Sequence, residues 1–522
     1  MTREFFYMMN QIFCIIFLYM SGYFFLRILE DVTIKWQNKR YNTNLKKHAK
    51  HSHSRARWRF VLSFPIGLSL WALIGFFLLV LSIPYTYGTI VLTYGIIYMS
   101  LLYMYIDTRK DFIMPRDVKM NLAMQLVIVF TVALVCCSGL LPISISNDSY
   151  YYYSVFPQTI VKEGFYQRCY DVFLTDVGQA SAVIGTLPWF FGFENTYGIQ
   201  LFLGFDLAAV YGVTIYENVY KYMPGKADVK FKKRSVALLL SLISVLVFIS
   251  STCFYVMTRW SLANIYFMTY FFIIFALTIR LSHGEDVLTR RDRALITIFM
   301  AMLSILRMEG GMFAGLLILC ACALDIPKKV LLKNYTLPLF ATQIPYYIVV
   351  FGILRVNPLY SFLRTSNIIV MLVFLLIISV YIAYIRDKFF KDRGLLYAVL
   401  LLLGLLAGNV LICFISTERY IGNLRFFRNN LIHSNGWGYF VILFVVLIVC
   451  LPWGKNLFKG MLFPLTFDIG YVFFTVALCW ARDGTLREGI GDSGNRVLMQ
   501  IVPFVMYTFT FMLVRKRSES AE

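Results

Sequence analysis

The chain has 522 residues, of which 59% are hydrophobic and only 15% are charged, and its mean hydropathy is +0.69. A soluble surface needs about a quarter of its residues charged, so this composition excludes a soluble enzyme, a disordered chain and a secreted disulfide scaffold. The net charge of +21 is typical of nucleic-acid-binding proteins, but its distribution along the chain favours membrane topology instead.

Long apolar stretches predict an all-α fold, because a transmembrane helix needs roughly 20 apolar residues. We expect a polytopic bundle of about 13–15 spans. The candidate spans are 5–28, 60–83, 88–106, 120–141, 197–216, 236–257, 263–280, 294–306, 311–325, 335–354, 367–386, 394–416, 437–453, 460–480 and 498–515. The pair 294–306 and 311–325 is short, so a single re-entrant pair is the alternative there.

The charges predict the orientation of this bundle. With the N-terminus outside, the cytoplasmic loops hold 36 of the 49 Lys and Arg residues and 15 of the 28 acidic residues. Nearly all the excess positive charge then lies on one side, as the positive-inside rule requires, and the C-terminus is cytoplasmic. Basic runs such as 35–59 and 226–234 are therefore topology signals that also suit anionic inner-leaflet lipid, and no nucleic-acid partner is expected.

The first external segment with many polar and aromatic residues is 142–196, which follows the fourth span. Val161, Phe165, Cys169 and Val172 fall on one helical face, which predicts an extracytoplasmic helix lying on the membrane surface. Upstream, Asp148 lies at the mouth of the bundle beside four tyrosines. A partly desolvated carboxylate there suits a general base.

Two other interpretations of Asp148 remain open, since Asn147-Asp148-Ser149 also fits a helix N-cap and a glycosylation acceptor. Asp171 and Asp176 lie downstream in the same segment. Either could share the role of base or bind a metal, and the alternative is an ordinary residue on the polar face of the helix.

The sequence "LRMEGG" places Arg307 and Glu309 between two short apolar stretches. Charges embedded in a membrane protein are functional candidates by default. The alternative interpretation is a mutual ion pair that holds a helix corner.

Two more external segments are rich in arginine. The segment 417–436 contains Arg419, Arg425 and Arg428, and 482–497 contains Arg496 just before the last span. Guanidinium groups suit phosphate recognition, so these residues are candidates for binding a lipid phosphate. Anchoring to lipid head groups and a solvated loop are the alternatives.

Few other residues indicate chemistry. Asp206 and Asp468 lie inside spans and suit either a proton relay or neutral packing. The five histidines have no partners at metal-ligand spacing, and nucleotide-binding, serine-hydrolase and zincin motifs are missing from usable contexts. No metal site is assigned and no cofactor is required, although a divalent cation held by carboxylates is an open alternative.

Three segments resemble the polytopic GT-C-type glycosyltransferases, which take sugar from a polyprenyl-phosphate carrier. They are "SNDSYYYYSVFPQTIVKEG", like the family's first external loop; "LRMEGG", similar to its Arg-x-Glu-Gly corner; and "GDSGNRVLMQIVPF", like the segment that opens a late helix. The chain departs from the family in the three spans that precede the Asp148 span, in Ser149 where a second acid is common, and in Val497 after Arg496.

The resemblance implies a membrane glycosyltransferase in which Asp148 is the base and the arginines hold the lipid phosphate. It also implies three regions: an N-terminal three-span extension (1–119) with the basic cytoplasmic loop, a GT-C-like catalytic half (120–325), and a C-terminal membrane half (326–522).

The expected partners are a polyprenyl-phosphate sugar, membrane lipid, and a glycan, lipid or protein acceptor. The expected location is the plasma membrane, with the active site on the extracytoplasmic face. Two alternatives stay open: a transporter or flippase for a lipid-linked sugar or an anionic solute, and a polysaccharide polymerase or ligase.

Overall fold

A computed structural model shows the fold and describes most of the chain. The residues described are 3–41, 52–81, 83–110, 122–141, 155–163, 179–190, 197–222, 230–259, 263–282, 289–307, 309–349, 365–432, 437–450, 455–481, 488–489 and 493–519. Every regular element within these ranges is a helix, as a chain in lipid requires unless it closes into a barrel, because each backbone group must find its partner internally.

Between residues 3 and 321, the described part of the chain forms twelve helices. They are α1 Arg3–Tyr41, α2 Ser52–Val80, α3 Tyr87–Lys110, α4 Leu122–Cys137, α5 Phe156–Glu163, α6 Gln179–Phe190, α7 Tyr197–Tyr222, α8 Lys230–Ile249, α9 Thr252–Arg259, α10 Asn264–Ser282, α11 Thr289–Leu306 and α12 Gly310–Ala321.

Two helices that each contain a π-helical turn follow in the described part of the chain. The first comprises α13 Lys328–Val330, the π-turn Leu331–Thr336 and α14 Leu337–Tyr347; the second comprises α15 Thr365–Val380, the π-turn Tyr381–Arg386 and α16 Asp387–Phe389. The remaining helices are α17 Gly394–Ile415, α18 Thr417–Ile432, α19 Phe440–Cys450, α20 Lys455–Ala481, α21 Ser493–Met499 and α22 Val502–Glu519.

Among the described residues, nine helical stretches are long and apolar enough to cross a membrane, so the protein is a multi-pass membrane protein. Lys233–Ile249 and Thr252–Arg259 would form a tenth if their 64° bend lies within one span. All ten coincide with predicted spans, but the expected number was about 13–15.

The other five predicted spans are helical but are not among these ten. Leu122–Cys137 has 16 residues and Gly310–Ala321 has 12, which at 1.5 Å per residue rise only about 24 Å and about 18 Å. Leu337–Tyr347 continues the helix that begins at Lys328, and Phe440–Cys450 is the described part of its predicted span. The fifth, Thr289–Leu306, has 18 residues but begins with four charged residues within its first five positions.

Helices α1 and α2 pack backbone against backbone. A Cβ at Gly22 would lie 1.8 Å from the carbonyl oxygen of Ser63, and a Cβ at Gly67 would lie 1.8 Å from that of Leu18. Close approach through small residues is a common way for helices to associate in lipid. The two glycines therefore hold the N-terminal pair together at a distance that no larger residue allows.

The centre of the bundle is built on α10, whose apolar stretch is 83% buried. Its aromatic rings join helices that are distant in sequence: Phe271 packs on Phe467 with ring centroids 5.2 Å apart, and Phe275 packs on Phe504 at 5.1 Å. Much of the high aromatic content thus serves interior packing. By contrast, the apolar stretches of α3 and α17 are each only 11% buried, which places these helices on the lipid-facing rim.

Helix ends that are far apart in sequence meet at two ends of the bundle. Glu30 and Arg291 meet at one end, which we call the inner end because the charge bias assigns it to the cytoplasm. Asn264 and Arg307 meet at the other, which we call the outer end. The turn between α11 and α12 therefore lies at the outer end.

The predicted surface helix is described only in part. Helix α5 covers Phe156–Glu163, with Phe156 and Ile160 buried, whereas 164–178 lie outside the described residues. Next along the described chain, α6 packs against α2, and the indole Nε1 of Trp71 donates to the carbonyl oxygen of Val183 at 3.0 Å. This part of the external segment is therefore anchored in the bundle.

Candidate functional site

The Arg307 corner is the first component of a polar layer at the outer end. The guanidinium of Arg307 donates through Nη2 to Glu309 Oε1 at 3.1 Å and through Nε to Oε2 at 3.3 Å. This is the ion pair that the sequence offered as one of two interpretations. Arg307 Nη1 also donates to Asn264 Oδ1 at 2.6 Å, so the pair is tied to the start of α10.

Gly310 determines the shape of this corner. A Cβ at this position would lie 2.2 Å from the carbonyl oxygen of Leu303, which belongs to the last turn of α11. Only glycine permits this contact, and α12 can therefore begin directly after the turn. Arg307 and Glu309 are held at the outer end because the chain reverses there so tightly.

Asn264 extends the layer to the last span. Its Oδ1 also accepts from Gln500 Nε2 at 3.2 Å, and Gln500 Oε1 accepts from the hydroxyl of Tyr471 at 3.3 Å. Gln500 is fully buried and Asn264 is 3% exposed. Buried polar groups of this kind are stable only when they are hydrogen-bonded, so these contacts fix α10, α20 and the last span relative to one another.

Arg496 lies in the same layer, in α21, one helical turn before Gln500. Its side chain is buried, with 6% exposed. Its two chain neighbours anchor the segment: Asn495 Oδ1 accepts from Trp437 Nε1 at 2.8 Å, and the carbonyl oxygen of Val497 accepts from the Tyr471 hydroxyl at 2.8 Å. A guanidinium group is thereby held inside the outer end of the bundle.

The segments 417–436 and 482–497 also meet. Asn430 Oδ1 accepts from the backbone N–H of Gly489 at 2.9 Å, and Asn495 Nδ2 donates to the carbonyl oxygen of the same glycine at 2.9 Å. Gly489 adopts a φ of 101°, in the left-handed region that favours glycine. We call Asn264, Asn430, Asn495 and Gln500 the amide layer.

The three arginines of α18 do not share one face. Arg425 and Arg428 are exposed, on the side of the helix away from the buried Asn423 and Asn430. Arg419 is half-buried, and its guanidinium lies over the ring of Trp480, 5.9 Å from the centroid. The structure thus brings the Arg307 corner and the Arg496 segment together, whereas Arg425 and Arg428 point outward.

The structure describes only some of the acidic residues that the sequence indicated as candidates. Asp148, Asp171 and Asp176 lie outside the described residues, so their proposed roles stay predictions. Asp468 is buried and accepts from the Thr508 hydroxyl at 2.7 Å. Across the described ranges, no three His, Cys, Asp or Glu residues are grouped so that they could hold a metal ion.

The amide layer was not predicted from the sequence. Amide side chains both donate and accept hydrogen bonds, as binding of neutral hydroxylated groups requires, and a guanidinium group nearby adds affinity for an anion. A sequence signal did exist for three of them, because Asn264, Asn495 and Gln500 each lie within about three residues of the outer end of a predicted span.

A second cluster, also missed, closes the inner end. Arg59 Nη2 and Arg291 Nη1 each donate to Glu30 at 2.7 Å, Arg291 and Arg280 both donate to Asp292 at 3.1 Å, and Arg280 donates to Glu217 at 2.7 Å. Arg57 completes the chain by donating to Glu217 at 3.1 Å. We call these seven residues the ionic network. In the sequence, most of these residues appear only as contributors to the charge bias between the two sides of the membrane.

Comparison with protein-family models, with curated proteins and with solved structures gives no match for this chain. The likeness to GT-C enzymes therefore rests on the three segments quoted above.

Proposed function

We propose that the protein is a membrane glycosyltransferase that moves a sugar from a polyprenyl-phosphate donor to an acceptor at the extracytoplasmic face of the plasma membrane. One observation carries the proposal: the Arg307 corner and the Arg496 segment, which are far apart in sequence, meet in one hydrogen-bonded layer at the outer end. These are two of the three segments that resemble GT-C enzymes.

The chemistry of this layer suits such a donor. Its amides match sugar hydroxyl groups, and the guanidinium of Arg496 matches a lipid phosphate. A donor that already lies in the membrane also explains why a transferase would consist of membrane helices and lack a nucleotide-binding motif.

In the proposed reaction the oxygen of the acceptor hydroxyl forms a bond to the anomeric carbon as the bond from that carbon to the phosphate oxygen breaks. Asp148 takes the hydroxyl proton, and Asp171 or Asp176 would assist it. The polyprenyl phosphate departs with the bonding electrons. Arginine charge stabilises the negative charge that develops on it.

The test uses the purified protein in liposomes with radiolabelled polyprenyl-phosphate sugars and a lipid and glycan acceptor mixture. Asp148→Asn should abolish transfer while donor binding is retained. Glu194→Gln, which removes an acid from the same external segment, is the matched control and should transfer normally. Full transfer by Asp148→Asn would refute the assignment of the base.

Transport of a lipid-linked sugar or an anionic solute is the second candidate, and Asp206 favours it. This residue lies inside the apolar helix α7, and within the described part of the chain its buried Oδ2 has no hydrogen-bond partner. A transporter would keep its activity in Asp148→Asn and lose it in Asp206→Asn or Asp468→Asn. If no labelled donor yields product and Asp206→Asn abolishes uptake into the liposomes, transport replaces transfer as the function.

A further inference from the structure

A pocket of about 400 Å³ lies near the inner end, between α7, α8 and the start of α2. Its lining combines polar and apolar side chains, which are Arg57, Arg234, Ser235 and Ser241 on the one hand and Val213, Tyr216 and Leu238 on the other. We call this the basic pocket. Its volume falls within the range of ordinary small-molecule sites.

Arg57 is held in place at the pocket. Its guanidinium lies over the ring of Tyr216, 4.9 Å from the centroid, and Nη2 donates to Glu217 at 3.1 Å. Its Nε is buried and has no hydrogen-bond acceptor in the ranges that the structure describes. The guanidinium is therefore fixed at the wall of the pocket.

The positive charge of the pocket is only partly compensated. Glu217 also accepts from Arg280 at 2.7 Å and from Trp58 Nε1 at 2.7 Å, so Arg57 shares this carboxylate with other donors. Arg234 is exposed and forms no ion pair with any residue that the structure describes. Two guanidinium groups at one pocket favour an anion, and phosphate in particular.

Through Leu238, the lining of the pocket continues into the exposed surface of α8. Leu238, Leu242 and Leu246 repeat every four residues, and they are 52%, 51% and 60% exposed. Exposed leucines are ordinary on a membrane helix, but here the stripe begins at the pocket rim. A ligand with a phosphate in the pocket would have its acyl chains along this stripe.

We propose that the basic pocket binds the head group of an anionic phospholipid from the leaflet that the charge bias assigns to the cytoplasm. Charge complementarity and continuity with the leucine stripe both favour this occupant over a soluble anion. Basic pockets between transmembrane helices on the cytoplasmic side recognise such head groups through the same chemistry. The proposal is independent of the glycosyltransferase assignment.

The experiment measures binding of phosphatidylglycerol and phosphatidylcholine to the purified full chain by native mass spectrometry, with excess inorganic phosphate as a separate arm. Arg234→Gln should weaken phosphatidylglycerol binding about fivefold. Leu238→Trp, which fills the pocket without a change in charge, should abolish it. Lys329→Gln removes an exposed charge elsewhere at the inner end and should bind as the unmodified chain does.

Three results would overturn the proposal. The first is normal phosphatidylglycerol binding by both Arg234→Gln and Leu238→Trp. The second is an equal loss in Lys329→Gln, which would show general attraction to a basic surface. The third is displacement of the lipid by inorganic phosphate at equal concentration, which would show that the acyl stripe contributes nothing and that the pocket binds free phosphate.

Discussion

The two ends of the bundle are both polar inside, but they are built from different groups. The inner end is closed by the ionic network, in which four arginines alternate with three carboxylates. The outer end is closed by the amide layer together with the Arg307–Glu309 pair and Arg496. The ion pairs of the inner end are suited to fixing the helices. The amides of the outer end are suited to replacing a hydrogen bond within the protein by one to a ligand.

The energetics of the two kinds of contact explain this division. A buried ion pair costs several kcal/mol to desolvate, so removing one partner leaves the other strongly destabilised. A hydrogen bond between neutral groups contributes only about 1 kcal/mol net, and a ligand hydroxyl can replace either partner. We therefore expect mutations at the inner end to affect stability and those at the outer end to affect activity more than stability.

The largest effect should come from Glu30→Gln. Glu30 is 3% exposed and accepts from both Arg59 and Arg291, so its neutralisation leaves two buried guanidinium groups short of negative charge. We expect the free energy of unfolding in mixed micelles to fall by about 3–5 kcal/mol. Glu418→Gln, at an exposed position of α18, is the control and should be neutral.

If Glu30→Gln lowers the free energy of unfolding by less than about 1 kcal/mol, the ionic network contributes no more than exposed ion pairs do. The distinction between the two ends would then have no energetic basis.

A smaller loss should follow from Gly310→Ala. The added Cβ would lie 2.2 Å from the backbone oxygen of Leu303, so α12 must shift away from α11 and carry the Arg307 corner with it. Strain of this kind costs about 1–3 kcal/mol. Thermal unfolding measures this cost, and transfer activity should fall with it.

Gly408→Ala is the matched control for Gly310→Ala. It also lies in a membrane helix, but a Cβ there meets no atom within 4 Å, so it should be neutral or slightly stabilising. If both variants unfold at the same temperature, the backbone at the Arg307 corner shifts to accept a Cβ without the expected strain.

Asn264→Leu tests the amide layer itself. The substitution removes the oxygen that accepts from Arg307 and Gln500, although Arg307 keeps its bond to Glu309. We expect a loss of about 1–2 kcal/mol in the free energy of unfolding and a larger proportional loss of transfer activity. Asn264→Asp retains the oxygen and should restore stability relative to Leu. Activity that is equal in all three chains would exclude the layer from the site.

The sequence predicted the positions of the apolar helices well, because hydropathy reports directly on the length and composition of each stretch. At α4 and α12 it predicted full-length spans where the described helices have 16 and 12 residues. Hydropathy cannot distinguish a stretch that crosses lipid from one that is sheltered by neighbouring helices, as α12 is by α15 and α20.

The site was only partly predictable for a different reason. Arg307, Glu309 and Arg496 were identified because charges near membrane helices are rare and conspicuous. Asn264 and Gln500 carry no such signature, and only the packing of α10 against the last span places them beside Arg307. The ionic network is similar: Glu30 and Arg291 are 261 residues apart, and no local pattern links them.

The smallest effect on stability should come from Arg428→Gln. Arg428 is exposed and bonds to Asn429, the next residue along α18, so we expect a change within about 0.5 kcal/mol in the free energy of unfolding. If the outward face of α18 attracts the donor phosphate, the KM for the labelled donor should still rise about fivefold, since one charge near the membrane surface contributes on this scale. Lys391→Gln makes the same change in charge at the inner end and should leave the KM unaltered. Arg428 is more exposed than Arg496, so a donor that approaches along the membrane surface would meet Arg428 first. An unaltered KM in Arg428→Gln would therefore show that Arg428 does not bind the donor phosphate, and would leave that role to buried groups such as Arg496.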